Sequence, residues 1–291
     1  MIIDSHTHLF PEEVRKNRQS FCRRDEGFRL IYESDRARMA SPEELLQSMD
    51  RDGVDRSVIC GFPWKDPGIC RLGNDYLIDC SFRNPSRLIP YACLPMVPRR
   101  LAERELETAL SRGIQGIGEL AFYRTEISSL EIQRLSSILK PLSGERVPLL
   151  LHVSEPVGHE YPGKSPGGLK PIYQLLAALS GVTVILAHWG GGFFFYELMP
   201  EVARLTRNVL YDTAASPYLY RPQIYSLAVK IVGPERVLFG SDYPLIAPAR
   251  YFKELAQSGL STRVQAKIKG RNAWQFLPGR AKSGSKPRDG V

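Results

Sequence analysis

Short apolar runs alternate with longer stretches of helical spacing along almost the whole chain. The opening MIIDSH reads as a strand with a polar end. After a polar stretch the rhythm becomes regular: RSVICGF, LIPYACLP, IQGIGEL, VPLLLHV, VTVILAHWG, VLYDTAA and RVLFGSDYP each read as a strand. Helical segments follow them in turn, as in NDYLIDCSFRNP, RLAERELETALSRG, SLEIQRLSSILKPL and LKPIYQLLAALSG, then YELMPEVARLT, PQIYSLAVKIVG and ARYFKELAQSG. Most of the strands are continuous apolar runs, as expected where both faces are covered. Eight strand–helix units over about 275 residues predict an α/β fold, a (β/α)8 TIM barrel. An open dinucleotide-binding sheet loses its main support, because no G-x-G-x-x-G follows the first strand.

The first unit is drawn out. A polar stretch at about residues 10–40 is too long for a tight turn and predicts an active-site insertion or a flexible lid. Ser41, Pro42 and the pair Glu43 and Glu44 then mark a helix start, and Gly53 marks its end. A last helix, TRVQAKIKGRNAWQFL, packs after the eighth unit. Residues 1–278 are expected to form a single barrel domain, and residues 279–291, polar and rich in Gly and Pro, a disordered basic tail.

Composition narrows the classes. Hydrophobic residues make up 43% and charged residues 24%, which excludes a disordered chain. The net charge of +8 raises the question of nucleic acid, but the basic residues are scattered or gathered in the tail, which reads as a solvated surface. Five cysteines, an odd number with no C-x-x-C pair, speak for buried free thiols rather than disulfides or a zinc ribbon. There is neither a signal-peptide pattern nor a run of ~20 apolar residues, so a cytoplasmic protein with no membrane partner is expected.

The five histidines carry the chemistry. In a barrel of this kind the active site lies at the C-terminal ends of the strands. His6 and His8 end strand 1, His152 ends strand 5, and His188 ends strand 6; Asp242 ends strand 8 and Glu119 ends strand 4. Only His159 falls off a strand end and reads as a loop residue. Residues i and i+2 on a strand point the same way, so His6 and His8 form a two-pronged clamp. Imidazoles converging with a carboxylate suit a divalent transition metal: zinc first, with manganese, iron or cobalt as alternatives. Glu119 reads either as a further ligand or as the ion-pair partner of an arginine such as Arg124.

The ordered set DSHTH, LLHVSE, LAHWGG and FGSDYP, with GRNAWQFL near the end, resembles the amidohydrolase superfamily in its amidohydrolase-2 branch. The resemblance implies that His6, His8, His152 and Asp242 surround a catalytic metal, and that His188 binds a second ion or assists proton transfer. It implies hydrolysis of amides, esters or lactones, or decarboxylation of aromatic or unsaturated acids. Binuclear members often carry a carboxylated lysine on strand 4 or 5. Neither strand ends in lysine here, and Glu119 resembles instead the metal-binding glutamate of TatD-type nucleases. One ion or two are both open.

The leading expectation is a hydrolase acting on a C–N or C–O bond of a small molecule, with a metal-activated water and Asp242 as general base. His188 would stabilise the developing oxyanion or shuttle a proton. The alternative is a non-oxidative decarboxylase on the same site; a TatD-like phosphodiesterase or a non-catalytic metal-binding module come third. Arg124, Arg221 and Arg250 are candidates to clamp a substrate carboxylate. Trp64, Phe122, Trp189, Tyr218 and Tyr243 are candidates for an apolar pocket, and Asp4 and Ser5 for support of the imidazoles. The Phe run at 193–195 is expected to pack between helix and barrel. A homo-oligomer is left open.

Overall fold

The computed structural model describes residues 1–95, 98–123 and 126–276. Its eight strands are β1 (Ile3–His8), β2 (Arg56–Cys60), β3 (Leu88–Ala92), β4 (Gly116–Leu120), β5 (Leu149–Leu151), β6 (Val184–Leu186), β7 (Val209–Asp212) and β8 (Val237–Leu238). They pair in parallel in sequence order, with helices between them, as a (β/α)8 TIM barrel requires. Alternate strand residues serve two cores. Val58, Ile89, Tyr91, Leu150, Ile185, Leu210 and Leu238 fill the interior, whereas Ile59, Leu88, Leu149, Leu151, Val184, Val209 and Val237 face the helices.

β8 is only two residues long, and the chain continues through Phe239 into Gly240, Ser241 and Asp242. The seam to β1 closes through single backbone bonds: Ser5 N–H to Phe239 O at 2.8 Å, Asp242 N–H to His6 O at 2.9 Å and His8 N–H to Tyr243 O at 2.7 Å. Two strands depart from strict alternation where it matters. The β1–β2 register shifts between Asp4 and Thr7, and the β4–β5 register between Ile117 and Leu120. The second shift includes Gly118 at φ 125°, where a Cβ would stand 2.3 Å from Leu150 O, so only glycine fits.

The long first connection is folded rather than loose. It forms three short helices, Glu12–Lys16, Arg18–Arg24 and Glu26–Tyr32. Phe10, Phe21 and Phe28 from this segment pack with Phe62 and Trp64 from the β2 connection, and Tyr32 and Tyr123 join them at the edge. Asp25, 3% exposed, joins the two segments: one oxygen caps Phe28 N–H at 3.0 Å and the other accepts from Lys65 N–H at 3.0 Å. Asp25→Ala should therefore cost about 1–3 kcal/mol, since it removes a cap and leaves a second N–H without its partner. Chemical denaturation measures this; an unchanged midpoint would show that the insertion does not depend on the staple.

The helix Pro42–Asp52 starts and ends where expected; Ser41 and Glu44 form a capping box, and Gly53 closes it at φ 71°. The segment after β6 differs from expectation. It begins as tight 3-10 turns, His188–Leu198, with left-handed backbone at 189–192, and only Pro200–Leu205 is α-helical. Phe193 and Phe194 are buried there as expected, but Phe195 is 42% exposed. The closing helix is broken into Thr262–Ala266, Lys267–Arg271 and Ala273–Phe276. All five cysteines are free and buried. Among the described residues no helix is long and apolar enough to cross a membrane. The tail at 279–291 and Arg124 lie outside the described residues.

Candidate metal centre

The strand ends bring six of the predicted residues together at the mouth of the barrel. His6 Nε2 and His8 Nε2 lie 3.0 Å apart. That is the spacing of two imidazoles on one ion with bonds of ~2.1 Å. Glu119 Oε2 is 3.6 Å from His8 Nε2, and its Oε1 is 3.6 Å from His6 Nε2, 3.1 Å from His152 Nδ1 and 3.6 Å from His188 Nε2. Asp242 Oδ1 stands 3.3 Å from His8 Nε2 and 3.9 Å from His6 Nε2. The donors form two groups of three, His6–His8–Glu119 and Glu119–His152–His188, each with its ligand atoms within 4.8 Å of one another. Glu119 belongs to both.

The outer nitrogen of every imidazole is occupied. His6 Nδ1–H donates to Asp212 Oδ2 at 2.9 Å, His8 Nδ1–H to Gly61 O at 3.3 Å, His152 Nε2–H to Gly163 O at 3.0 Å and His188 Nδ1–H to Ala214 O at 3.1 Å. Carbonyl and carboxylate oxygens have no proton to give, so each outer nitrogen carries the hydrogen. In a neutral ring the inner nitrogen then presents a lone pair to the centre. Four lone pairs converging with two carboxylates are what a divalent cation requires, and hydrogen-bonded outer nitrogens are the usual support of metal-binding histidines.

The electrostatics agree. Burial opposes charge on His6, yet Glu119 and Asp212 together outweigh it and hold the imidazole well above its usual range. His188 is likewise pushed up to about 9, against burial, by Glu119 and Asp242. Burial opposes ionisation of Glu119 and Asp242 as well, but the surrounding imidazoles hold both carboxyls well below theirs. The pocket thus demands positive charge. Protons supply it when no ion is bound, so an entering ion must displace them. Metal affinity should fall about tenfold per pH unit for each proton displaced as pH drops from about 9 toward the ordinary imidazole value of 6.5. For the metal-free fold the same raised values give stability that is complete below 6.5 and is lost as pH rises through about 9. Competition with a chelator and thermal unfolding across that window test both signs; a pH-independent affinity would contradict them.

Two of these residues sit in backbone conformations that L-residues seldom adopt: His188 at φ 56° and Asp242 at φ 57°. The glycines after His188 allow the turn; a Cβ on Gly191 would lie 2.3 Å from Ser154 O.

Other expectations change. Trp189 does not line a pocket: it is 0% exposed, its indole N–H donates to Ser216 Oγ at 2.9 Å, and its ring meets Tyr225. The left-handed turn at His188 drives the following side chain into the core. Arg221 is exposed in the loop after β7, with no described contact to the donor cluster. Arg250 donates to Pro217 O at 3.0 Å and covers the ring of Tyr218, which is 53% exposed. Trp64, Phe122 and Tyr243 are core residues, and His159 is exposed in the loop after β5. Asp4 supports the backbone rather than a ring, accepting from His6 N–H and Ser241 N–H, and burial pushes it up to about 7. Ser5 Oγ is buried without a hydrogen-bond partner among the described residues.

Sequence reasoning missed Asp212, which ends β7. Its Oδ2 holds His6, while Oδ1 accepts from the N–H groups of His188 and Ala214 at 2.9 and 3.0 Å. A lone carboxylate closing the apolar run VLYD was the available signal. It also missed Tyr32 and Tyr123. The charges of Asp242 and Glu119 add to burial in raising both phenols, and the Tyr123 ring lies 5.1 Å from His152.

Solved structures share this architecture. A 5-carboxyvanillate decarboxylase from Sphingomonas paucimobilis matches with a TM-score of 0.77 and 16% identity, covering 94% of this chain and 98% of that one. A manganese-bound 5-carboxyvanillate decarboxylase from Novosphingobium aromaticivorans gives 0.74 and 17%, covering 95% of each chain. A manganese-bound dihydroxybenzoic acid decarboxylase from a Polaromonas species gives 0.69 and 18%, covering 94% of this chain and 96% of that one. At such identities the likeness establishes the barrel. The model of the amidohydrolase family Amidohydro_2 matches residues 3–279, nearly the whole chain, and the protein belongs to that family.

Proposed function

We propose that the protein is a divalent-metal enzyme that removes the carboxylate of a small aromatic or conjugated acid. The observation that carries this choice is the aromatic wall at the donor cluster. Tyr123 packs on His152 at 5.1 Å, Phe62 stacks on Tyr123 at 5.7 Å with ring planes 15° apart, and Tyr32 abuts Phe28 and Phe10. Such a wall suits a flat ring held by its carboxylate. The decarboxylases of like fold, two of them with bound manganese, add support and favour manganese beside zinc.

His6, His8, His152 and Asp242, with Glu119, would hold one ion. Bound there, it would polarise the oxygens of a carboxylate or carbonyl. The chain's own groups do the rest. As the carbon–carboxylate bond breaks, its electron pair stays on the ring carbon, and that carbon takes a proton. His188 is the proton source: its Nδ1–H is anchored on Ala214 O, and its proton-holding Nε2 faces the centre. The folded insertion contributes Tyr32 and Phe28 to that aromatic wall.

Hydrolysis is the second reading, favoured by one feature. Glu119 is shared by both three-donor groups, as a bridge between two ions would be. His188 would then be a ligand, and Asp242, held ionised, would be the base that takes a proton from water. A phosphodiester is a poor match, because Glu155 and Glu160 line the adjoining cavity.

Metal counting together with a substrate panel separates the readings. Carbon dioxide release from an aromatic acid at one ion per chain supports the first. Turnover of an amide or lactone at two ions per chain, with none of any acid, overturns it.

A further inference from the structure

Glu119 reaches the donor cluster from a stretch of β4 that leaves regular pairing on both sides. β3 ends at Ala92, which pairs with Ile117. On the other side the β4–β5 register slips between Ile117 and Leu120. Gly118 and Glu119 lie in that gap, and Gly118 has no side chain to restrict its backbone. A ligand carboxylate must nevertheless be held within about 0.5 Å of its place.

A thiol spans the gap. Cys93, the first residue past β3, is 1% exposed, and its Sγ lies 3.6 Å from both Gly118 O and Glu119 O. An S–H donor is weak, so its worth here lies in placement rather than in stability.

Cys93 is itself held by a side chain in place of a neighbouring strand. Asn74, in the helix Pro67–Arg83, is buried. Its Oδ1 accepts from Cys93 N–H at 2.9 Å, and its Nδ2–H donates to Cys93 O at 2.9 Å. The second Nδ2 hydrogen goes to Glu105 Oε1 at 3.1 Å, and Glu105 Oε2 accepts from Arg71 Nε–H at 3.1 Å. Both amide hydrogens are used, and a carboxylate only accepts, so the amide cannot turn over. Glu105 belongs to the next helix, Arg99–Ser111. Bonds thus run from two helices of the outer ring, through Asn74 and Cys93, to the backbone of Glu119. Apolar side chains would pack these helices without burying an amide and a carboxylate.

We propose that Cys93, clamped by Asn74, is the positioning residue of Glu119. It fixes the backbone of Gly118 and Glu119 in the setting that turns the carboxylate to the donor cluster. The role deepens the reading of Glu119 as a metal ligand and rests on it.

Calorimetric titration of the metal-free protein with manganese tests this through a double-mutant cycle. Cys93→Ala should weaken manganese binding by ~10–100-fold, the usual effect of losing a ligand's support. In Glu119→Ala, where the carboxylate is gone, the same substitution should change the affinity by less than about twofold, because its effect passes through that carboxylate. Cys80→Ala removes a buried thiol of the same helix with no described contact to Glu119, and should leave the affinity unchanged. Asn74→Asp sets an oxygen where Cys93 O and Glu105 need a donor. It should weaken binding in the same non-additive way, and it decides the matter if Cys93→Ala does not fold. Unchanged affinity in Cys93→Ala, or equal losses with and without Glu119, overturns the positioning role and leaves the metal centre standing. Unchanged affinity in Glu119→Ala takes Glu119 out of the ligand set and overturns both.

Discussion

Replacing His6 and His8 together by alanine removes the bound divalent ion and with it all turnover. Their Nε2 atoms, 3.0 Å apart, are the two donors nearest in chain and in space, and both also face Glu119 and Asp242. Without them one group of three donors keeps only a carboxylate. Even the loss of groups that merely support a ligand typically costs ~10–100-fold in metal affinity, so the loss of two ligands should exceed that. The fold should survive, because the interior below the site is packed by other side chains. Elemental analysis of the purified variant, with circular dichroism as the control for folding, measures both. Full stoichiometric metal in the double variant would sink the site.

Asp242→Asn should leave the ion largely in place and reduce turnover by ~10²–10⁴, the usual contribution of an acid–base group. The substitution keeps the shape and one ligand oxygen. It removes the negative charge that helps push His188 up to about 9. Both proposed reactions lose by this: hydrolysis loses its base, and decarboxylation loses part of what keeps the proton on His188. The two differ in the pH profile. In the decarboxylase reading the alkaline limb of the variant shifts to lower pH, because His188 gives up its proton sooner. In the hydrolase reading the acid limb disappears with the base. Near-normal turnover would rule Asp242 out of both roles.

The barrel and most of the donors were legible because period-two strands and a fixed catalytic face leave few choices. His152, His188 and Asp242 each close an apolar run, and His6 and His8 share a face. Glu119 was harder to read. Gly116 and Gly118 occupy positions where Tyr91 and Leu150 leave no room for a side chain, and Ile117 faces the helices. Strict alternation would therefore send Glu119 outward, and only the register shift after Ile117 turns it to the centre. No residue-type pattern announces such a shift. Asp212 was missed because its partners, His6 and His188, are distant in sequence and it forms no spaced motif with either. Trp189 was misplaced because helical or strand spacing says nothing about a side chain that follows a left-handed residue. The stretch at about 10–40 read as either an active-site insertion or a flexible lid because its aromatic residues are few and scattered, and their partners, Phe62, Trp64 and Tyr123, come from other connections.

The hydrogen bonds on the outer ring nitrogens also bear on how the molecule comes apart. His6 on β1 is fastened to β7, His8 to the connection after β2, His152 to its own long loop and His188 to the residues after β7. No single strand–helix unit owns the site, so no unit can detach and leave the donor set whole. The barrel stands without the ion, but a bound ion should stabilise all the units together rather than any one of them. Free metal at 100 times its dissociation constant would add about 2.7 kcal/mol to global stability. Amides on β1 and β7, on opposite sides of the seam at β8, would slow their hydrogen exchange together on loading.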